Sequence, residues 1–163
     1  MPFRFLYLLF AVLLLLSCNN GSHCFESSDT SMVTVFTANN NIKINSFLVR
    51  GYKQIGEGDT LHYSLGADTT KKVGLPLELT ADSTGFVVYA NGKSGVFFVK
   101  HTMDLRLISQ SCGFAPYYKL TAAKYSPLID SIKVSDLNVG PKSVENYETH
   151  GQNITVYLHL TTP

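Results

Sequence analysis

From Met32 to Leu160, apolar residues of this 163-residue chain recur at every second position over most segments. That period constrains the fold more than any other feature. Successive side chains of an extended strand point to opposite faces, so period two signals half-buried strands, whereas an amphipathic helix repeats at 3.6. The clearest case is Ile154, Val156, Leu158 and Leu160, set against Thr155, Tyr157, His159 and Thr161. Ile42, Ile44 and Leu48 alternate with Lys43, Asn45 and Phe47, and Leu61, Tyr63 and Leu65 share a side with His62 and Ser64 opposite. Met32–Thr37, Val73–Leu79, Phe86–Ala90, Gly95–His101, Leu105–Ser111 and Leu128–Val134 are rich in the β-branched and aromatic residues that suit a pleated surface. No convincing amphipathic helix interrupts them.

Turn signals separate these runs. Asn39-Asn40-Asn41, Gly56-Glu57-Gly58-Asp59, Gly66-Ala67-Asp68 and Ala81-Asp82-Ser83-Thr84-Gly85 supply residues that tolerate positive φ or cap their own backbone. Asn91-Gly92 between two apolar runs predicts a two-residue hairpin, because a type I′ turn needs positive φ at both central positions. Pro76 places its strand at a sheet edge or a bulge. Short strands at regular spacing predict an all-β domain, an antiparallel β-sandwich (Ig-like or a related Greek key) of about eight to nine strands. A small β-barrel is the alternative. The sandwich is preferred because neither a run of small interior residues nor a lumen pattern can be read. Gly113–Pro127 and Leu137–Gln152 read as long irregular connections, where a binding surface is expected. Tyr117, Tyr118 and Tyr125 in the first are the candidate surface, since tyrosine offers apolar area at low entropy cost. The alternative is that these rings cap the open end of the sandwich.

The chain begins differently. Arg4 precedes the apolar run Phe5–Leu16, whose 12 residues are too few for a helix spanning a bilayer, which takes about 20. Residues 1–17 fit a secretion signal. The run ends in Leu15-Leu16-Ser17-Cys18, which resembles the lipobox of bacterial lipoproteins. That resemblance implies cleavage before Cys18 and a lipid on its sulfur; the alternative is an ordinary signal peptide with an incidental cysteine. Residues 18–23 are then a lipidated cysteine with a short tether, and 24–163 a single β domain. Without residues 1–17, 12 basic residues face 12 acidic ones. This balance argues against a nucleic-acid binder, which needs excess positive charge. No acidic residue follows Cys18 directly, which resembles release to an outer membrane, on the periplasmic face. The partners expected are the membrane, through the lipid, and an envelope protein or glycan.

Three cysteines are present, an odd count for an exported chain. Lipidation of Cys18 leaves Cys24 and Cys112, and an oxidising compartment predicts that they pair. The loop closed would be 89 residues long, worth roughly 4–5 kcal/mol in the chain-entropy model. The alternative is two inert buried thiols.

The residues also resemble a family. Cys24 stands before the strand Val33-Thr34-Val35-Phe36; then come Gly56-Glu57-Gly58-Asp59-Thr60-Leu61, Asp68 followed by Val73-Gly74-Leu75-Pro76-Leu77, Ser111-Cys112-Gly113-Phe114, and Asp130-Ser131-Ile132-Lys133-Val134. Together they resemble small Bacteroidetes lipoproteins classed only as a domain of unknown function. The resemblance implies a lipid anchor, a β-rich domain and a Cys24–Cys112 pair, and it implies no activity. The chain departs from the family where Ser27–Ser31 replaces a Thr-Pro element after the first cysteine.

Catalytic constellations are thin. His101 and Asp104 are three apart, with Thr102-Met103 read as a turn, while His23, His62, His150 and His159 are scattered. No Cys-x-x-Cys or His-x-x-x-His pair suggests a metal site, and no nucleophile elbow or phosphate loop is present. Cys112 with His101 or His150 as base is conceivable, but the disulfide uses the same sulfur. Asn153-Ile154-Thr155 matches a glycan sequon and opens a strand. The expectation is a lipid-anchored, non-catalytic envelope domain without cofactor or metal, the alternative being a periplasmic barrel that carries an apolar ligand.

Overall fold

The structure, a computed structural model, describes residues 30–53, 57–109, 113–141 and 151–160. Residues 1–17, Cys18, Cys24 and Cys112 lie outside them, as do His23 and His150. Ten strands occur among the described residues: β1 (Ser31–Ala38), β2 (Ile44–Tyr52), β3 (Glu57–Asp68), β4 (Thr70–Pro76), β5 (Ser83–Ala90), β6 (Lys93–Ser109), β7 (Gly113–Tyr125), β8 (Ile129–Val134), β9 (Asn138–Val139) and β10 (Ile154–Leu158). They form a β-sandwich. A four-stranded sheet in the order β4-β1-β10-β8 packs on a six-stranded sheet in the order β3-β2-β5-β6-β7-β9. Among the described residues neither sheet closes into a barrel.

The core is built from the alternating residues of both inner faces. Met32, Phe36, Leu75, Ile154, Val156 and Leu158 come from the small sheet, and Phe47, Val49, Phe86, Val88, Phe97 and Val99 from the large one. Phe36 reaches across: its ring lies 4.8 Å from Phe47 and 6.0 Å from Phe97, and Phe97 in turn lies 5.1 Å from Phe86. These tilted and edge-on contacts join the two sheets through one side chain. The Asn91-Gly92 hairpin has the predicted positive φ at both positions, 51° and 78°. Asn91 does more than turn the chain. Its Nδ2 donates to the Lys43 carbonyl, while Oδ1 accepts from the Asn45 and Ser46 amides. Pro76 ends β4, which is an edge strand.

Three local readings are corrected. Thr102-Met103 is not a turn, because β6 runs unbroken through it. Gly113–Pro127 is not an irregular connection: β7 occupies most of it, paired with β6 from Gly113 to Tyr125. Pro116 is tolerated there because its carbonyl points away from β6, toward the Thr30 hydroxyl, so the missing N–H falls on an open edge. In β2, Phe47 is buried rather than Leu48. Ile44 and Phe47 both face the core although an odd number of positions separates them, and the pairing with β3 is irregular at the same place, where β3 carries one extra residue between Leu65 and Asp68.

One pair departs from the antiparallel pattern. β1 runs parallel to β10, so the first and last strands lie side by side in the small sheet. Asn153, 5 % exposed, ties this junction. It exchanges bonds with Val33 in both directions: its Oδ1 accepts from the Val33 amide at 2.8 Å, and its own amide donates to the Val33 carbonyl at 2.9 Å. Its Nδ2 donates to the Asn138 carbonyl at 2.9 Å, and its carbonyl accepts from the Ser135 amide at 2.8 Å. The sequon is thus a structural element. Asn153→Ala would leave the buried Val33 amide unpaired and remove the bond to the carbonyl of the more exposed Asn138. We expect a loss of about 2–4 kcal/mol in urea unfolding; a loss within the scatter of surface substitutions, about 0.5 kcal/mol, would refute this role.

Candidate functional site

The three candidate tyrosines all lie on β7, and the strand separates them. Neighbouring residues of a strand point to opposite faces, so Tyr117 and Tyr118 cannot share a surface. Tyr118 points inward and is 3 % exposed. Its hydroxyl donates to the Leu77 carbonyl at 3.3 Å, and its ring meets His101 edge-on at 5.2 Å. Tyr117 lies on the outer face, with the Arg106 guanidinium 4.8 Å from its ring centroid. Tyr125 ends the strand opposite Phe97, half exposed. These three tyrosines form no common surface, and Tyr118 belongs to the core.

His101 and Asp104 are likewise parted, since an odd step along one continuous strand sends them to opposite faces. His101 is buried; its Nε2 shares a 2.8 Å hydrogen bond with the Thr84 hydroxyl, which also accepts from the Glu78 amide. Its Nδ1 meets no partner among the described residues. Burial holds the imidazole below its ordinary value, opposed by the charges of Asp82 and Glu78. Burial, then Glu78, raises the Tyr118 hydroxyl. His62 leans on Phe47, and the exposed His159 meets Asp130 at 2.9 Å. Among the described residues no group of three His, Cys, Asp or Glu side chains is placed to hold a metal ion.

Two open grooves flank the chain where it leaves β4. One, of about 360 Å³, lies between Thr30, Ser31, Gly74 and Pro76 on one side and Pro116 and Tyr118 on the other. The second, of about 210 Å³, is bounded by Tyr52, Lys53, Asp59, Glu78 and Thr84.

The broadest candidate surface was not foreseen. On the outer face of the large sheet, Leu48 pairs with Tyr63 on one side and Tyr89 on the other, and Ser46 pairs with Leu65. Tyr63 is 60 % and Leu65 68 % exposed. Further along this face the Phe98 ring packs edge-on against Tyr52 at 4.9 Å, over Gly85, where a Cβ would come within 2.6 Å of the Phe98 ring. The signal was present in the apolar alternation of Leu61, Tyr63 and Leu65. It pointed inward only because the register shift between Val49 and Arg50, opposite Leu61, is invisible in the residue pattern.

A model described as a family of unknown function (DUF6452) matches residues 46–158. The chain belongs to this family. The DUF6452 match begins within β2 and ends with β10, so it takes in all of the large sheet but the first two residues of β2. No curated protein and no solved structure matches the chain.

Two outcomes test the reassignment of this region. Tyr118→Ala should cost about 3–5 kcal/mol, and Tyr118→Phe only about 1 kcal/mol, the worth of its hydroxyl bond; equal small losses would return Tyr118 to the surface. For His101, both folded and unfolded chains are neutral above the ordinary value of 6.5. As pH falls below it, the unfolded chain takes up the proton first, so stability falls until folded His101 also titrates. His101→Gln should remove this part of the pH dependence of unfolding, and an unchanged slope would show that His101 does not contribute.

Proposed function

We propose that this DUF6452 chain is a lipid-anchored, non-catalytic domain of the cell envelope that binds or scaffolds a protein or a glycan. The observation that carries the binding role is the outer face of the large sheet. Tyr63, Leu65, Leu48 and Tyr89 stand together on this face, with Arg50 two residues along from Leu48, and Tyr63 and Leu65 are more than half exposed. Sheets that face water on one side normally alternate apolar-in with polar-out, and an exposed apolar patch on a soluble domain marks a place of contact. Flat tyrosine rings suit a sugar ring or the apolar centre of a protein interface. The carrier alternative calls for an enclosed lumen, and the two sheets enclose none among the described residues.

The anchor rests on Leu15-Leu16-Ser17-Cys18, with the outer membrane and its periplasmic face as the address. The same export supports a Cys24–Cys112 disulfide. The deciding measurement is the intact mass of the protein from its own membranes, with and without reductant. A mass beginning at Cys18 with acyl chains added, rising by about two daltons on reduction as one disulfide opens, is expected. An unlipidated mass would overturn the anchor. For the surface, Tyr63→Ser with Leu65→Ser should leave unfolding within about 0.5 kcal/mol. Chemical cross-links to envelope components in cells should fall about tenfold, as for loss of an interface anchor; undiminished cross-linking would rule this face out.

A further inference from the structure

Among the described residues the sandwich has four outermost strands, β3 and β9 in the large sheet and β4 and β8 in the small one. An exposed edge invites another strand, and folded proteins blunt it with lysine, proline or shortness. Three of these edges are blunted in that way: β4 carries Lys71, Lys72 and Pro76, β8 carries Lys133, and β9 is two residues long. The exception is β3. It is 12 residues long, holds no Lys, Arg or Pro, and keeps Glu57, Asp59 and Asp68 toward its ends. Between its irregularities His62 to Leu65 pair residue for residue with Val49 to Ser46, and no described strand lies on the other side of that run. Tyr63 and Leu65 stand exposed on its outer face. Ser64, opposite the buried Phe47, points inward, and its hydroxyl is buried with no hydrogen-bond partner among the described residues.

We propose that β3 is a dimerisation edge, and that the strand laid along it is β3 of a second copy of this chain. The assignment rests on the outer face being a contact surface, and it names the partner. Two identical edges pair about a two-fold axis. With both outer faces on the same side, that axis is perpendicular to the sheet, and the antiparallel pair must set one residue opposite itself. Ser64 in the regular run meets this condition. Tyr63 then faces Leu65 of the second copy, and Leu65 faces its Tyr63, aromatic–aliphatic pairs of the kind that stabilise sheets. The two Ser64 side chains come opposite each other with Cβ atoms about 4.5–5.5 Å apart, so each unpartnered hydroxyl gains the other. No like charges are opposed: Asp68, bonded to Lys71 at 2.6 Å, falls against Thr60, and Asp59 falls against Thr69. The same axis leaves β1 of both copies on one side of the joined sheet, so both chains can enter from one membrane. Thr30 and Gly140, which flank the longer undescribed segments, touch Pro116 and Tyr117 of β7. That strand lies four positions across the sheet from β3, about 19 Å away.

The test joins sedimentation velocity with disulfide trapping, on the full chain purified in detergent. One strand pair buries less than the roughly 800 Å² a side of a standard interface, so the dimer is concentration-dependent. The weight-average mass should climb from one chain toward two as concentration rises. Tyr63→Lys with Leu65→Lys, which sets lysine against lysine, should hold it at one. Under mild oxidation Ser64→Cys should give a covalent dimer whose linked peptides join the two substituted positions, because residues directly opposite each other lie within disulfide reach. Thr60→Cys, about 27 Å from its counterpart in this register, should give no more dimer than the unsubstituted chain. A mass of one chain at every concentration would overturn the proposal, as would equal trapping at Thr60 and Ser64 or a dimer that survives the lysine pair. A monomer that still makes envelope cross-links dependent on Tyr63 and Leu65 would overturn the dimer and keep the outer face as a contact surface.

Discussion

The small sheet depends on one contact between the two ends of the domain. β1 and β10 are neighbours in space but separated by almost the whole domain in sequence, and parallel strands cannot be joined by a tight turn. Their pairing therefore pays the entropy of closing the longest loop in the fold before any hydrophobic contact rewards it. Asn153 makes the pairing specific. Its two bonds to Val33 set the register, and its bonds to Ser135 and Asn138 bring the exit of β8 and the short β9 to the same place. With that register set, Phe36 on β1 lies where it meets Phe47 and Phe97 of the other sheet. A slip of one residue would turn Phe36 outward and bring Val35 in.

The strand-forming segments were legible because period-two patterning is a local property. So were the edge position of Pro76 and the Asn91-Gly92 turn, each set by the chemistry of one or two residues. What the pattern hid was register. The faces of β2 change near Asn45, where its pairing with β3 is irregular, and the extra residue Leu61 in β3 leaves Tyr63 and Leu65 outward; a bulge adds a residue without changing the alternation around it. Pro116 and the surrounding tyrosines suggested a loop, because whether a proline nitrogen faces a partner strand or open solvent is a tertiary fact. Asn153 was read through its sequon, and its buried bonds to residues 120 and 15 positions away leave no trace in the local sequence. The tyrosine surface failed for the same reason. Three rings close in sequence are dispersed once their segment is a strand.

The exposed apolar surfaces follow from the same geometric fact, the unequal size of the sheets. A four-stranded sheet covers one face of a six-stranded sheet incompletely, so part of the inner face stays open at Leu105, Leu107 and Phe114, where β6 and β7 run on beyond β5. The outer face has no third layer among the described residues, yet it carries Leu48, Val87, Tyr89 and Phe98 where an ordinary sandwich would place polar groups. Val87 is only 7 % exposed on that face because its neighbours shield it, whereas Tyr63 and Leu65 at the β3 edge are not shielded. The unshielded part therefore lies beside an open strand edge. There a partner can gain backbone hydrogen bonds from β3 as well as contact with the tyrosine ring, two terms that would add where either alone is weak. That combination favours a protein segment laid along β3 over a sugar as the ligand of this face, because a sugar ring uses the aromatic surface but leaves the strand edge unpaired.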